Sequence, residues 1–173
     1  MPNNNKRELL PIVDKSGNVI GSATRAECHS ASGDRPLHPV VHLHVFNASG
    51  ELFLQHRAET KDVQPGRWDT SVGGHVDFGE SIYDALKREA SEELGLVDIN
   101  SELLYTYLFE SAIERELVYT FRCVAELSAI KTDPAEISEG RFFSPHEIST
   151  RLKTGFFTPN FELEFEKLQN LKK

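Results

Sequence analysis

The chain has 173 residues, 39% hydrophobic and 27% charged, and its 19 Lys and Arg face 27 Asp and Glu for a formal net charge of −8. That composition excludes collagen-like, disordered and disulfide-framework chains, and the length suits one domain, 1–173, with its own core. The acidic balance argues against general nucleic-acid or anionic-membrane binding, and no apolar run reaches the roughly 18 residues of a membrane span. The start MPNNNKRELLPIVDK has no signal-like apolar stretch, so a cytoplasmic protein is expected. Cys28 and Cys123 form no CxxC pair and are expected reduced, Cys123 in the core.

In chain order, LLPIVD and VIGSATR flank Lys15-Ser16-Gly17-Asn18, and HPVVHLHVF and ELFLQHR flank Asn47-Ala48-Ser49-Gly50; both pairs read as antiparallel hairpins. A polar loop, Ala58 to Arg67, leads to WDTSVGGHV, a short strand expected to end at Gly73 and Gly74. A helix is expected from Ser81 to Leu94, with Ser81 and Asp84 at capping-box spacing and Gly95 as its stop. Strands follow at LLYTYLFES and ELVYTFRCVAEL and at Phe142-Phe143. A second helix begins at Ser144-Pro145 with Glu147, and a third at Thr158-Pro159. Phe156, Phe157, Phe161 and Phe165 read as core. Strands first with helices interspersed predict an α/β (α+β) domain, a mixed sheet between helices.

The acids of the first long helix are misplaced for a solvated face. With about 100° per residue and Glu89 at zero, Ile82, Glu93, Leu86 and Ala90 fall within about 100° of one another, whereas Asp84, Lys87 and Ser91 lie opposite. Glu92 flanks this sector. Carboxylates at i, i+3 and i+4 repel, and partial burial raises their cost, so a multivalent cation is their natural partner. Oxygen ligands favour Mg²⁺ or Mn²⁺ over zinc. The alternative is a solvated or salt-bridged face.

These residues form a pattern: Gly74, five residues, Glu80, seven residues, Arg88-Glu89-Ala90, one residue, Glu92-Glu93, one residue, Gly95-Leu96. It resembles the Nudix box, with Ala90 where that family usually carries a larger aliphatic residue. Seven such identities arise by chance about once in 10⁸ registers. ELFLQHR, PGRWDTSVGGH and EISEGRFFSPHEI also look like Nudix-domain segments. The resemblance implies a Nudix fold that hydrolyses a diphosphate linked to another moiety, a nucleoside diphosphate derivative or related small molecule. By position, Glu89, Glu92 and Glu93 would hold the cation with help from Glu80 and the backbone near Gly74, and Arg88 would orient the glutamates. The general base would come from the box or from a later loop, where Glu136 and Glu139 are candidates; the plain reading of both is surface acids. A homodimer is compatible with this sequence, and nothing in it argues for one.

In His38 to Phe46, alternation puts His38, Val40, His42, His44 and Phe46 on one face, read either as a polar outer or pocket-lining face or as a source of ligands. This region with PGRWDTSVGGH also resembles isopentenyl-diphosphate isomerase, a Nudix-fold family. That likeness implies a second metal at His38, His75, Glu114 and Glu116, with His29 a weaker match; imidazole donors would suit a transition metal such as Zn²⁺. Gly73 stands where the isomerase pattern has its catalytic cysteine, and the glutamate signature is intact, so hydrolysis is expected; the alternatives are isomerisation and a non-catalytic diphosphate-binding module. Trp68 would stack on a base or simply pack, and Arg57 would contact phosphate or pair with a box glutamate.

Overall fold

The first hairpin closes on an aspartate. In the computed structural model, which describes residues 8–172, Asp14 accepts hydrogen bonds from the amides of Ser16 and Asn18 at 2.8 and 3.0 Å. Gly17 takes the left-handed φ of 85° that the turn demands. β1 (Leu9–Val13) and β2 (Val19–Thr24) thus pair antiparallel. The expectations for the first seven residues and for Lys173 lie outside the described residues. A single-turn helix, α1 (Arg25–Cys28), follows behind a reciprocal Thr24–Glu27 cap and buries Cys28.

The main sheet is built on β3 (His38–Phe46), which is buried on both faces. β8 (Arg115–Val124) runs parallel along its whole length, from His38 opposite Glu116 to Phe46 opposite Val124. The other edge of β3 is shared. β6 (Val72–His75) pairs antiparallel there, and β4 (Leu52–Arg57) touches it only at Phe46 opposite Leu52. The expected second hairpin is therefore splayed after one register pair. β4 turns away to pair with β5 (Trp68–Asp69) and β9 (Ile137–Phe143), and β6 occupies the gap. β7 (Glu102–Glu110) completes the sheet on the outer side of β8.

Strand alternation divides the core. Val41, Leu43, Val45, Phe53 and Phe121 face α2 (Ile82–Leu94) and meet its Ala85, Leu86, Ala90 and Leu94. Leu52, Leu54, Trp68 and Phe143 face the other way, onto Ile148 of α3 (Pro145–Arg151) and Phe161, Phe165 and Leu168 of α4 (Pro159–Leu171). The result is a mixed, mainly antiparallel sheet between helices, an α+β fold. Both cysteines are free and buried, Cys123 within the α2-side cluster. No helix among the described residues is long and apolar enough to cross a membrane.

Candidate active site

The strand expected to end at Gly73-Gly74 runs through both glycines to His75, and each glycine admits a side chain from elsewhere. A Cβ on Gly74 would collide with the carboxylate of Glu89, so only glycine lets that group lie against the strand. Glu93, one turn on, accepts hydrogen bonds from Gln55 Nε2 at 2.9 Å and from the Gly73 amide at 3.4 Å. Ser81 caps α2 by accepting from the Asp84 amide, and it also donates to the Asp84 carboxylate, so the acid turns to the serine hydroxyl. Gly95 ends the helix in the left-handed region, φ 63°. The helix is thereby fixed with two acids in its packed sector. Ala90 is fully buried, consistent with a small residue under the sheet.

Burial pushes the Glu89 carboxyl up to about 7 against the opposing pull of Arg88, and it pushes Glu93 up to about 8 with Glu89 adding to the effect. Arg88 organises the surrounding acids. Its Nε and Nη2 each donate to Glu80 at 2.9 Å, Nη1 donates to Glu89 at 2.8 Å, and Nη2 also reaches the His75 carbonyl at 3.0 Å. Glu80 additionally accepts from the Asp77 amide, so it sits behind Arg88 with both oxygens engaged. Glu92 lies on the exposed flank, 3.4 Å from Arg88.

At the other end of β6, His29, His38, His75 and Glu116 converge, one ligand atom from each lying within 4.8 Å of the others. His29 and His75 meet through their Nε2 atoms at 3.0 Å. His38 Nδ1 is 3.1 Å from the Pro36 carbonyl, which can only accept, so Nδ1 carries the hydrogen and Nε2 presents a lone pair. That Nε2 is buried, lacks a hydrogen-bond partner among the described residues and lies 3.8 Å from Glu116. Burial holds His29 down to about 4 and lowers His38 and His75 as well, so these rings are neutral. Glu114 is outside the quartet, and His29 takes its place.

The remaining candidates are dispersed. Arg57 bonds Asp69 at 3.3 Å and the Val63 carbonyl at 3.0 Å rather than a box glutamate. Trp68 is buried edge-on to Phe143 and parallel to Phe156, which is packing. Glu136 pairs with Lys61. Glu139 is exposed opposite His56; since Gly140 faces Phe53 on the α2 side, alternation turns Glu139 to the other face, away from the acids of α2.

The histidine face of β3 is not an outer face. His42 and His44 lie under α4 around Glu164, which is fully buried. Glu164 accepts from His42 Nδ1 at 2.7 Å, from the Tyr107 hydroxyl at 2.8 Å and from the Thr120 hydroxyl at 3.2 Å. Its second oxygen lies 3.5 Å from His44 Nε2. Sequence reading missed Glu164, although the signal was available: it falls between Phe161, Phe165 and Leu168 on the apolar stripe of α4, the same misplacement that singled out Glu89 and Glu93.

A mixed sheet clasped between helices, with a glutamate-rich helix folded against a diglycine strand, defines the class, and the comparisons agree. The NUDIX domain model matches residues 36–162, and the chain belongs to the Nudix hydrolase family. An uncharacterised Nudix hydrolase of Yersinia pestis is 32% identical over 153 residues, 88% of this chain and 81% of that protein. A protein of Paenarthrobacter aurescens named isopentenyl-diphosphate Delta-isomerase is 33% identical over 175 residues, 95% of this chain and 92% of that one. Among solved structures, DR0079 from Deinococcus radiodurans superposes with a TM-score of 0.77 at 23% identity, covering 92% of this chain and 98% of the other, a likeness of fold.

Proposed function

We propose that the protein is a divalent-cation-dependent hydrolase of a small molecule in which a diphosphate is linked to another moiety. The observation that carries this reading is the pair of largely buried carboxylates, Glu89 and Glu93, set side by side against Gly74 and Gly73. The fit to a hard cation is good: every donor is oxygen, and the space that a Cβ would fill at Gly74 is kept for Glu89. Glu89, Glu92 and Glu93 would hold Mg²⁺ or Mn²⁺, with Glu80 and the backbone near Gly74 in support. When bound, such a cation neutralises phosphate charge and lowers the pKa of a water. The chain itself keeps the acids in place: Arg88 spaces Glu80, Glu89 and Glu92, while Gln55 and the Gly73 amide aim Glu93. All three metal-site glutamates are present, which favours catalysis over mere binding, and glycine at position 73 supplies no thiol for isomerisation. Replacing Glu92 or Glu93 with Gln should raise the Mg²⁺ concentration needed for turnover of nucleoside diphosphate derivatives; unchanged metal dependence in both variants overturns the assignment.

A second cation site is supported by the orphaned, buried Nε2 of His38 within the His29, His38, His75 and Glu116 quartet. Three neutral imidazoles and one carboxylate suit a transition metal such as zinc. Tag-free protein should bind one equivalent of zinc and lose it on His38→Ala; no stoichiometric uptake removes the site.

A further inference from the structure

Neither cation site uses the buried pair formed by His42 and Glu164. A carboxylate only accepts, so the hydrogen in their 2.7 Å contact belongs to His42 Nδ1, and the ring is held from behind by a group that is itself fully buried. The opposite edge is partly uncovered. Among the described residues His42 Nε2 has no hydrogen-bond partner, yet it is not sealed from solvent as His44 Nε2 is, and the side chain keeps 11% of its exposure. Gly73 makes the opening: a Cβ there would stand 3.2 Å from His42 Cδ2 and 3.4 Å from Nε2. The same glycine donates its amide to Glu93, so the single residue Gly73 borders both the ring edge and one carboxylate of the α2 pair.

We propose that His42 is a substrate-binding residue whose Nε2–H donates to a phosphoryl oxygen of the diphosphate compound, and that Glu164 is the positioning residue that holds the ring by Nδ1 and aims it. This rests on the diphosphate reading above. Burial by itself would drive the second proton off His42, but the charge and hydrogen bond of Glu164 outweigh it and push the group up to about 9. The groups acting on the ring are Glu164 from α4, His44 from β3, Asp69 from β5, His75 from β6, Glu116 from β8 and Glu114 just before that strand; His44 is itself held down to about 4, chiefly by burial. His42 is therefore the cationic histidine of this face. A charged donor with a fixed counter-charge behind it is matched to an anionic oxygen.

Methylenediphosphonate, which resists hydrolysis, is the probe, titrated in the presence of Mg²⁺ while calorimetry reads affinity and ¹⁵N NMR reads the imidazoles. His42→Gln should weaken binding by about 10- to 100-fold, as expected for loss of a charged hydrogen bond. Gly73→Ala should also weaken it by covering the ring edge while the His42–Glu164 pair stays intact, which separates access from folding. The wild-type His42 ring should shift with ligand and stay doubly protonated through neutral pH, whereas in Glu164→Gln it should lose its second proton near or below neutrality. If the wild type binds the probe, but His42→Gln and Gly73→Ala bind it equally well and the ring signals do not move, the inference fails and the diphosphate reading stands. If the wild type binds no probe with either Mg²⁺ or Mn²⁺, both fail.

Discussion

The two faces of the sheet solve the problem of burying acids in opposite ways. On the α2 side, Glu89 and Glu93 lie together with one guanidinium bonded to Glu89 and neutral donors to Glu93, and both are pushed toward protonation. On the α4 side, a more deeply buried acid, Glu164, stays ionised: burial opposes it, but His42 and its hydrogen bonds hold it down to about 2. The difference lies in what surrounds each acid. Three donors, one of them the ring of His42, converge on one oxygen of Glu164 and hold it ionised, whereas at Glu89 and Glu93 burial outweighs the donors present and drives both carboxyls toward their neutral form.

The largest effect on turnover should come from the α2 side. Glu89→Gln is expected to lower hydrolysis by about 10² to 10⁴, the range for losing a positioned catalytic group, while circular dichroism and Tm remain those of a folded protein. On the α4 side the same kind of change should act on stability. Glu164→Ala leaves the His42 charge buried without its partner and should cost about 3–5 kcal/mol in chemical denaturation.

A smaller effect sharpens the contrast through pH. Glu89 and Glu93 have folded-state pKa values raised to about 7 and about 8, so the stability they contribute is full below their ordinary range and is lost as pH rises through those values. Cation-free protein should therefore lose Tm between roughly pH 5 and 8.5 from these groups, and Mg²⁺ should raise Tm more at about pH 8.5 than at about pH 6. Smallest of all, Cys28→Ser and Cys123→Ser should leave turnover essentially unchanged, because both cysteines are buried and burial pushes each thiol up to about 11, so neither supplies a thiolate.

Legibility in the sequence followed locality. The carboxylate helix could be read because Glu89, Glu92 and Glu93 share one helix with its cap and its glycine stop, so periodicity alone puts the acids among apolar residues. The splay of β3 from β4 could not, because it depends on β8, β6 and β9 competing for their edges, pairings that no local pattern records. The Glu164 network joins β3 to α4 across 122 residues, and alternation revealed only its histidine half. Gly73 and Gly74 read as a stop because glycine usually interrupts strands; here their missing side chains make room for His42 and Glu89.

The most direct test is product analysis by ³¹P and ¹H NMR after incubating the protein with Mg²⁺ or Mn²⁺ and either a panel of nucleoside diphosphate derivatives or isopentenyl diphosphate. The account predicts new phosphate-containing products from cleavage of a phosphoanhydride bond in at least one panel member, abolished in Glu93→Gln. An isopentenyl diphosphate whose carbon skeleton is rearranged with both phosphates intact, and no phosphoanhydride cleavage in any panel member, would contradict it.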